Sequence, residues 1–253
     1  MSTEKSLFER AVASATAADL KNCVFGEMSL ENTGSDEFTK MLDERLDQLI
    51  IQGIQHVSLN SLSEKQQFDI ALMSLWGAWR SIGTFALQIA RCDEREPKHE
   101  QLRELLVKQI DDEYRHYRLA QKCVEAMGAE ARGLELRPEE SSVGLSSSFD
   151  YFDKHYTDPL MAAGIVQFAD QRMFLHFAAS ICKQSWIVPA LKTYLEKTIP
   201  DSGFHIYIGR LCVQKIALQG SERREELLNK ITDTLFRFTL PKILTGQFGQ
   251  LAV

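Results

Sequence analysis

The sequence predicts an all-α protein. Its apolar residues recur at intervals of three and four, and no stretch alternates between apolar and polar residues for long enough to require a sheet. The run Leu102–Met127 contains neither Gly nor Pro, as expected of a long helix. The composition, with 44% hydrophobic and 25% charged residues, is ordinary for a globular protein.

The N-terminal part, residues 1–60, is expected to hold one amphipathic helix packed on a central bundle. An irregular or weakly helical lead-in should reach to about residue 35, and the helix should follow from Asp36 to about His56. Its apolar residues keep helical spacing: Phe38, Met41, Leu42, Leu46, Leu49 and Ile50.

Residues 61–220 are expected to form a core of four helices. The first two helices are the apolar segment Phe68–Ile89, preceded by Ser capping residues, and the run Leu102–Met127. A connector, residues 129–148, leads through a short piece around residues 149–156 to the second pair.

The second helix pair begins at Pro159, which suits a first helical turn. Its first helix should reach about residue 184. Its second should extend from Pro189 to about residue 219, with an interruption at Pro200. Residues 221–253 are expected to add a C-terminal amphipathic helix and a loose tail, all within a single domain.

Charge and composition argue against several functions. The net charge of −6 and the absence of a Lys/Arg block disfavour a nucleic-acid-binding surface. The N-terminus lacks the pattern of a signal peptide, and five scattered cysteines without C-x-x-C spacing indicate reduced thiols, so a cytoplasmic protein is expected. A membrane span at Pro159–Cys182 is disfavoured by its polar residues: Gln167, Asp170, Gln171, Arg172 and His176.

Glu113 and His116 lie on the predicted apolar stripe of the second core helix, with Leu102, Leu106 and Ile110. Burying an ionised carboxylate costs several kcal/mol unless something compensates it, and a metal ion is one common partner. Glu-x-x-His on an inward helix face is a half-site of carboxylate-bridged di-metal bundles. A hydrogen-bonded Glu/His pair without metal is the alternative.

The second helix pair repeats this pattern. Asp170 shares an apolar face with Val166, Met173 and Phe177, and His205 shares one with Ile208 and Cys212. Mutual compensation at a shared metal site would explain Glu113, His116, Asp170 and His205 together.

Four segments carry a resemblance to a known family: residues 109–116 (Gln-Ile-Asp-Asp-Glu-Tyr-Arg-His), 168–172 (Phe-Ala-Asp-Gln-Arg), 184–189 and 199–209. They resemble the ferritin-like superfamily, most closely the phenylacetate-catabolic branch that contains the subunits of phenylacetyl-CoA epoxidase. The resemblance covers roughly Phe68–Leu218 and implies a ferritin-like four-helix bundle with additional N- and C-terminal helices.

The resemblance also implies a ligand set, from which this sequence departs. Glu113 and His116 would fill one half-site, Asp170 would be the third-helix carboxylate and His205 the final imidazole. The first core helix has no Asp or Glu between residues 70 and 92, and Trp79 and Arg80 lie where a ligand is expected. Ser202 replaces the acid three residues before His205, with Asp201 beside it.

Two functions follow from this incomplete set. In the first, the four surviving residues hold Fe (di-iron or mononuclear) or Mn, with Asp201 as a replacement ligand. The protein then acts as an oxygenase or oxidase on a small organic substrate with O2. In the second, Arg80 neutralises Glu113 or Asp170, no metal is bound, and the chain is a non-catalytic scaffold subunit of an oxygenase complex. A homodimer, or a hetero-oligomer with a related subunit, is expected.

Overall fold

The computed structural model describes residues 5–26, 28, 30, 31, 33–56, 61–129 and 143–245. Within these ranges every regular element is helical, which confirms the all-α prediction. The α-helices are α1 Leu7–Val12, α2 Ala17–Phe25, α3 Ser35–His56, α4 Glu64–Arg91, α5 Pro97–Ala126, α6 Val143–His155, α7 Pro159–Ile165, α8 Gln171–Ile181, α9 Pro189–Ala217, α10 Ser221–Thr234 and α11 Leu240–Thr245. None of the described helices is long and apolar enough to cross a membrane.

Two π-helical turns interrupt the α-helices. Val166–Asp170 joins α7 to α8, and Leu235–Thr239 joins α10 to α11. The single helix expected from Pro159 to about residue 184 is therefore three segments, ending at Ile181. The interruption expected at Pro200 is absent, since α9 is one continuous helix of 29 residues that contains this proline. Proline removes only one backbone donor, and this helix tolerates the loss.

The chain forms two compact units whose segments alternate along the sequence. Unit 1 comprises Met1–Ser58, Ala163–Phe177 and Ser202–Gly246, and unit 2 comprises Leu59–Ala162, Ala178–Asp201 and Gln247–Val253. The division of the sequence at residues 60 and 220 stays a prediction.

Unit 1 contains two short helices, α1 and α2, where the sequence predicts an irregular or weakly helical lead-in. Ser6 and Glu9 form a capping box at α1, and Thr16 and Asp19 form another at α2. Each box satisfies backbone donors that a short helix would otherwise leave unpaired, which explains why these helices form. The core of the unit is lined by fully buried residues of α3: Phe38, Leu42, Leu46, Leu49 and Ile50.

The buried guanidinium of Arg224 binds the C-terminal end of α9 in unit 1. Arg224, at the start of α10, donates from Nε to the carbonyl of Ala217, the last residue of α9, at 2.9 Å. Its Nη1 donates to the carbonyls of Leu30 and Thr33 at 2.9 and 2.7 Å. The side chain also lies over the ring of Phe38, 5.3 Å from its centroid. One side chain thus satisfies three backbone acceptors that belong to no common helix.

Unit 2 is built on the pair α4 and α5. Ser63 and Gln66 form a capping box at α4, and Pro97 occupies the first turn of α5. The buried amide of Gln67 donates to the carbonyl of Trp186 at 3.3 Å and accepts from the backbone N–H of Val188 at 2.7 Å. This exchange fixes the chain that enters α9 against α4.

Helix α6 is held on α4 by two arginines. Arg80 pairs with Asp150 and Asp153 at 2.7 and 3.0 Å. Arg91 donates to the carbonyls of Asp153 and Tyr156 at 2.6 and 3.1 Å, so it binds the C-terminal end of α6. The helix begins earlier than the short piece expected around residues 149–156.

Candidate functional site

Helix α5 places Glu113 and His116 on its buried face in unit 2. Glu113 is 5% exposed and His116 is 7% exposed, and Leu102 and Leu106 of the same stripe are buried. The Nδ1 of His116 lies 3.5 Å from Oε2 of Glu113, one turn earlier on the helix. The acid and the imidazole therefore form a buried pair, as the i, i+3 spacing predicts.

Asp201 of α9 contacts the other nitrogen of the His116 ring. The distance from His116 Nε2 to Asp201 Oδ2 is 2.8 Å. The same carboxylate oxygen accepts a hydrogen bond from Arg115 at 2.5 Å, and Arg115 also contacts Asp112 at 3.2 Å. Glu113, His116, Asp201 and Arg115 thus form one hydrogen-bonded network in unit 2.

The network shifts the protonation of its members. Burial of His116 opposes its positive charge, but the carboxylates of Glu113 and then Asp201 outweigh burial and raise the pKa of the imidazole above its usual value. Burial likewise disfavours the Asp201 carboxylate, yet hydrogen bonds from His116 and Arg115 lower its pKa below the usual range. The network therefore favours the protonated form of His116 and the ionised form of Asp201.

Asp170 lies in unit 1, as the last residue of the π turn Val166–Asp170. Its Oδ1 is inaccessible to solvent and has no hydrogen-bond partner among the residues that the structure describes. A buried polar atom without a partner is rare in proteins and requires an explanation, such as a bound ion or water. π turns of this kind are frequent at functional sites.

His205 also lies in unit 1, on α9, where it is 1% exposed. Ser202, which occupies the position of the expected acid, is 2% exposed on the same helix. One turn after His205, the backbone of α9 meets the π turn: a Cβ built on Gly209 would lie 2.4 Å from the backbone nitrogen of Phe168. Only glycine permits this approach.

Arg80 does not have the role that the sequence suggested. Its guanidinium pairs with Asp150 and Asp153 of α6 rather than with Glu113. The neighbouring Trp79 is 45% exposed, and its ring packs on Tyr117 with a centroid distance of 5.1 Å.

The five predicted site residues fall into two sets. Glu113, His116 and Asp201 come together in unit 2, and Asp170 and His205 belong to unit 1. In the described parts of the chain, no group of three or more His, Cys, Asp or Glu side chains is arranged so that it could hold a metal ion.

Sequence reasoning did not identify Arg115. The only available signal was Asp112 three residues earlier, which is the spacing of a helix-surface ion pair.

No model of a known protein family matches the chain, and no curated protein is significantly similar to it.

Proposed function

We propose that the protein is a ferritin-like metal-dependent oxidoreductase that acts on a small organic substrate with O2. Glu113 and His116 are the proposed ligands in unit 2, and Asp170 and His205 are the further ligands that the sequence predicts. Carboxylate and imidazole donors suit Fe(II) and Mn(II). The proposal rests on the different contacts of the two ring nitrogens of His116: Nε2 contacts Asp201, and Nδ1 lies near Glu113.

A histidine that binds a metal through one ring nitrogen usually donates the other N–H to a carboxylate, which fixes the tautomer and the ring orientation. His116 has this arrangement: Nε2 contacts Asp201 at 2.8 Å, and Nδ1 is directed at the Glu113 carboxylate, 3.5 Å away. In this interpretation Asp201 is the outer partner of His116 and not the replacement ligand expected from the sequence. Its second contact, with Arg115, supports the same role.

The buried Oδ1 of Asp170 supports the proposal independently. Among the described residues this oxygen has no hydrogen-bond partner, although burying an unsatisfied acceptor costs about 1–3 kcal/mol. A metal ion would satisfy it.

When bound, iron or manganese would supply the redox chemistry with O2. The protein's own residues have other tasks. In this proposal Nε2 of His116 donates to Asp201, which holds the imidazole in one orientation, and the hydrogen bond from Arg115 to Asp201 stabilises the ionised form of that carboxylate. Glu113 is 5% exposed, so its surroundings exclude most water from its carboxylate.

Metal analysis tests the proposal. Protein made in iron- and manganese-replete medium should contain at least about half an equivalent of one metal, since ligand sets of this kind hold metal through purification. Glu113→Gln should lose it. Glu104→Gln, an exposed acid on the same helix, should retain it. Less than about a tenth of an equivalent in the wild type, with no spectral change on adding Fe(II) and O2, would refute metal chemistry.

A metal-free scaffold function is the second candidate. It is favoured by the contacts in unit 2, where His116 lies against Glu113 and Asp201, and Arg115 pairs with Asp201, without a metal ion. Such a chain would bind a related catalytic subunit. A wild-type protein that contains no metal and raises the activity of a co-purified oxygenase subunit would support it, whereas stoichiometric iron lost in Glu113→Gln would exclude it.

A further inference from the structure

The π turn Val166–Asp170 is stabilised by a side chain that has no role in the network around His116. Arg172, two residues after the turn, is 2% exposed and donates from Nε to the carbonyl of Phe168 at 2.6 Å. Its guanidinium carbon lies 4.4 Å from the centroid of the Phe168 ring. A π turn shifts the helical hydrogen-bond ladder by one residue, so a carbonyl at the shift benefits from an additional donor. Arg172 supplies that donor.

Two carboxylates of α3 orient the Arg172 guanidinium. Its Nη1 donates to Asp47 at 2.6 Å, and its Nη2 forms an ion pair with Asp43. Each carboxylate has a second partner within unit 1: Arg210 contacts Asp43 at 2.5 Å, and His176 contacts Asp47 at 2.9 Å. The planar guanidinium is therefore held on its Nη side by acids and reaches the backbone of the turn with Nε.

The backbone of α9 fixes the turn from a second element. A Cβ on Gly209 would lie 2.4 Å from the nitrogen of Phe168 and 2.7 Å from its Cβ, closer than real atoms approach. Phe168 is thus located by two independent contacts: Arg172 binds its carbonyl, and Gly209 allows α9 to pack against its backbone. Asp170 follows two residues later; the residue is partly exposed, but Oδ1 of its carboxylate is buried and has no hydrogen-bond partner among the described residues.

We propose that Arg172 is the positioning residue for Asp170, and that Arg172 and Gly209 together maintain the π turn in the register that buries Oδ1 of Asp170. The importance of this register for metal binding rests on the proposed function. The hold of Arg172 on the turn does not depend on it.

Lysine cannot replace Arg172 in this role. An ammonium group is a point charge with no fixed fork, so it cannot pair with Asp43 and Asp47 and also bind the Phe168 carbonyl. Arg172→Lys therefore keeps the charge of the cluster and removes the contact with the turn. Gly209→Ala disturbs the same turn without changing any charge. Gly203→Ala is the matched control, because a Cβ on Gly203 of α9 would contact nothing within 4 Å.

Hydrogen exchange of the metal-free protein tests the hold on the turn. In Arg172→Lys and Gly209→Ala, the amides of residues 166–173 should exchange at least about tenfold faster, with circular dichroism unchanged, because the hydrogen-bonded turn opens locally. Gly203→Ala should exchange at the wild-type rate there. Wild-type exchange in both test variants would overturn the proposal.

Titration with Fe(II) under anaerobic conditions tests the positioning. Arg172→Lys and Gly209→Ala should bind Fe(II) about 10–100-fold more weakly than the wild type, the range expected for outer partners of metal ligands. Faster exchange combined with unchanged Fe(II) affinity in both variants would refute a positioning role. A wild-type protein that binds no Fe(II) would instead refute the proposed function, and the exchange experiment would still decide whether Arg172 holds the turn.

Discussion

The contact between His116 and Asp201 should contribute measurably to stability even without a metal. Replacing Asp201 with Asn removes a charge-assisted hydrogen bond of 2.8 Å to an imidazole that is 7% exposed. Such bonds are worth about 1.5–3 kcal/mol when they are shielded from solvent. The second partner of Asp201 is Arg115, whose side chain is 47% exposed, so that ion pair should add less than about 1 kcal/mol.

We therefore expect Asp201→Asn to lower the free energy of unfolding by about 2 kcal/mol, measured by urea denaturation of the metal-free protein. Arg115→Gln, which removes only the exposed partner, should cost less than about 1 kcal/mol. A double-mutant cycle with His116→Gln should give a coupling of at least about 1 kcal/mol. Equal losses of stability in Asp201→Asn and Arg115→Gln, or a coupling energy near zero, would refute the reasoning that the buried contact between His116 and Asp201 stabilises the protein.

Three further predictions concern unit 2. Ser63→Ala removes the capping box of α4 and should lower the free energy of unfolding by about 1 kcal/mol in urea denaturation. An unchanged free energy of unfolding would mean that backbone contacts alone fix the start of this helix. Phe85→Ala should cost about 3–5 kcal/mol by the same measurement because Phe85 is fully buried, and a cost below about 1 kcal/mol would show that the core collapses around the deletion. Arg80→Gln should lower the free energy of unfolding by less than about 1 kcal/mol, since its partner Asp150 is 66% exposed. The amides of residues 150–155 should nevertheless exchange faster than in the wild type. Unchanged exchange would mean that Arg91 alone holds α6 on α4.

Local spacing in the sequence was sufficient to predict the long helices. The stripe that contains Leu102, Leu106 and Glu113 is buried in α5, and the amphipathic pattern after Asp36 corresponds to α3. The N-terminal capping boxes are also readable in the sequence, as Ser6 with Glu9 and Thr16 with Asp19. Short segments carry little hydrophobic periodicity, however, so the sequence predicts only an irregular or weakly helical lead-in there. The interruption predicted at Pro200 is absent, because one missing backbone donor does not end a long packed helix.

Sequence spacing predicts only those contacts of the candidate site that join residues of one helix. Glu113 and His116 are neighbours on one helix turn, so their pairing follows from spacing. The sequence also named Asp201, but it did not predict that this carboxylate contacts His116 across the unit. Helical periodicity does not indicate which nitrogen of an imidazole a distant carboxylate reaches. The π turn at Asp170 leaves no signal in composition, because a one-residue shift of register looks like ordinary irregularity in an apolar run.

The guanidinium of Arg224 has a consequence for how the sequence can vary. It binds the carbonyls of Ala217, Leu30 and Thr33, and these are backbone atoms that almost any residue supplies. The connection between α2 and α3 can therefore change its side chains without losing this anchor. Arg224 itself is not exchangeable for Lys, which has too few fixed donors for three diverging acceptors. This anchor between α10 and the connection thus depends on the identity of one residue, Arg224, and not on the side chains of Leu30 and Thr33.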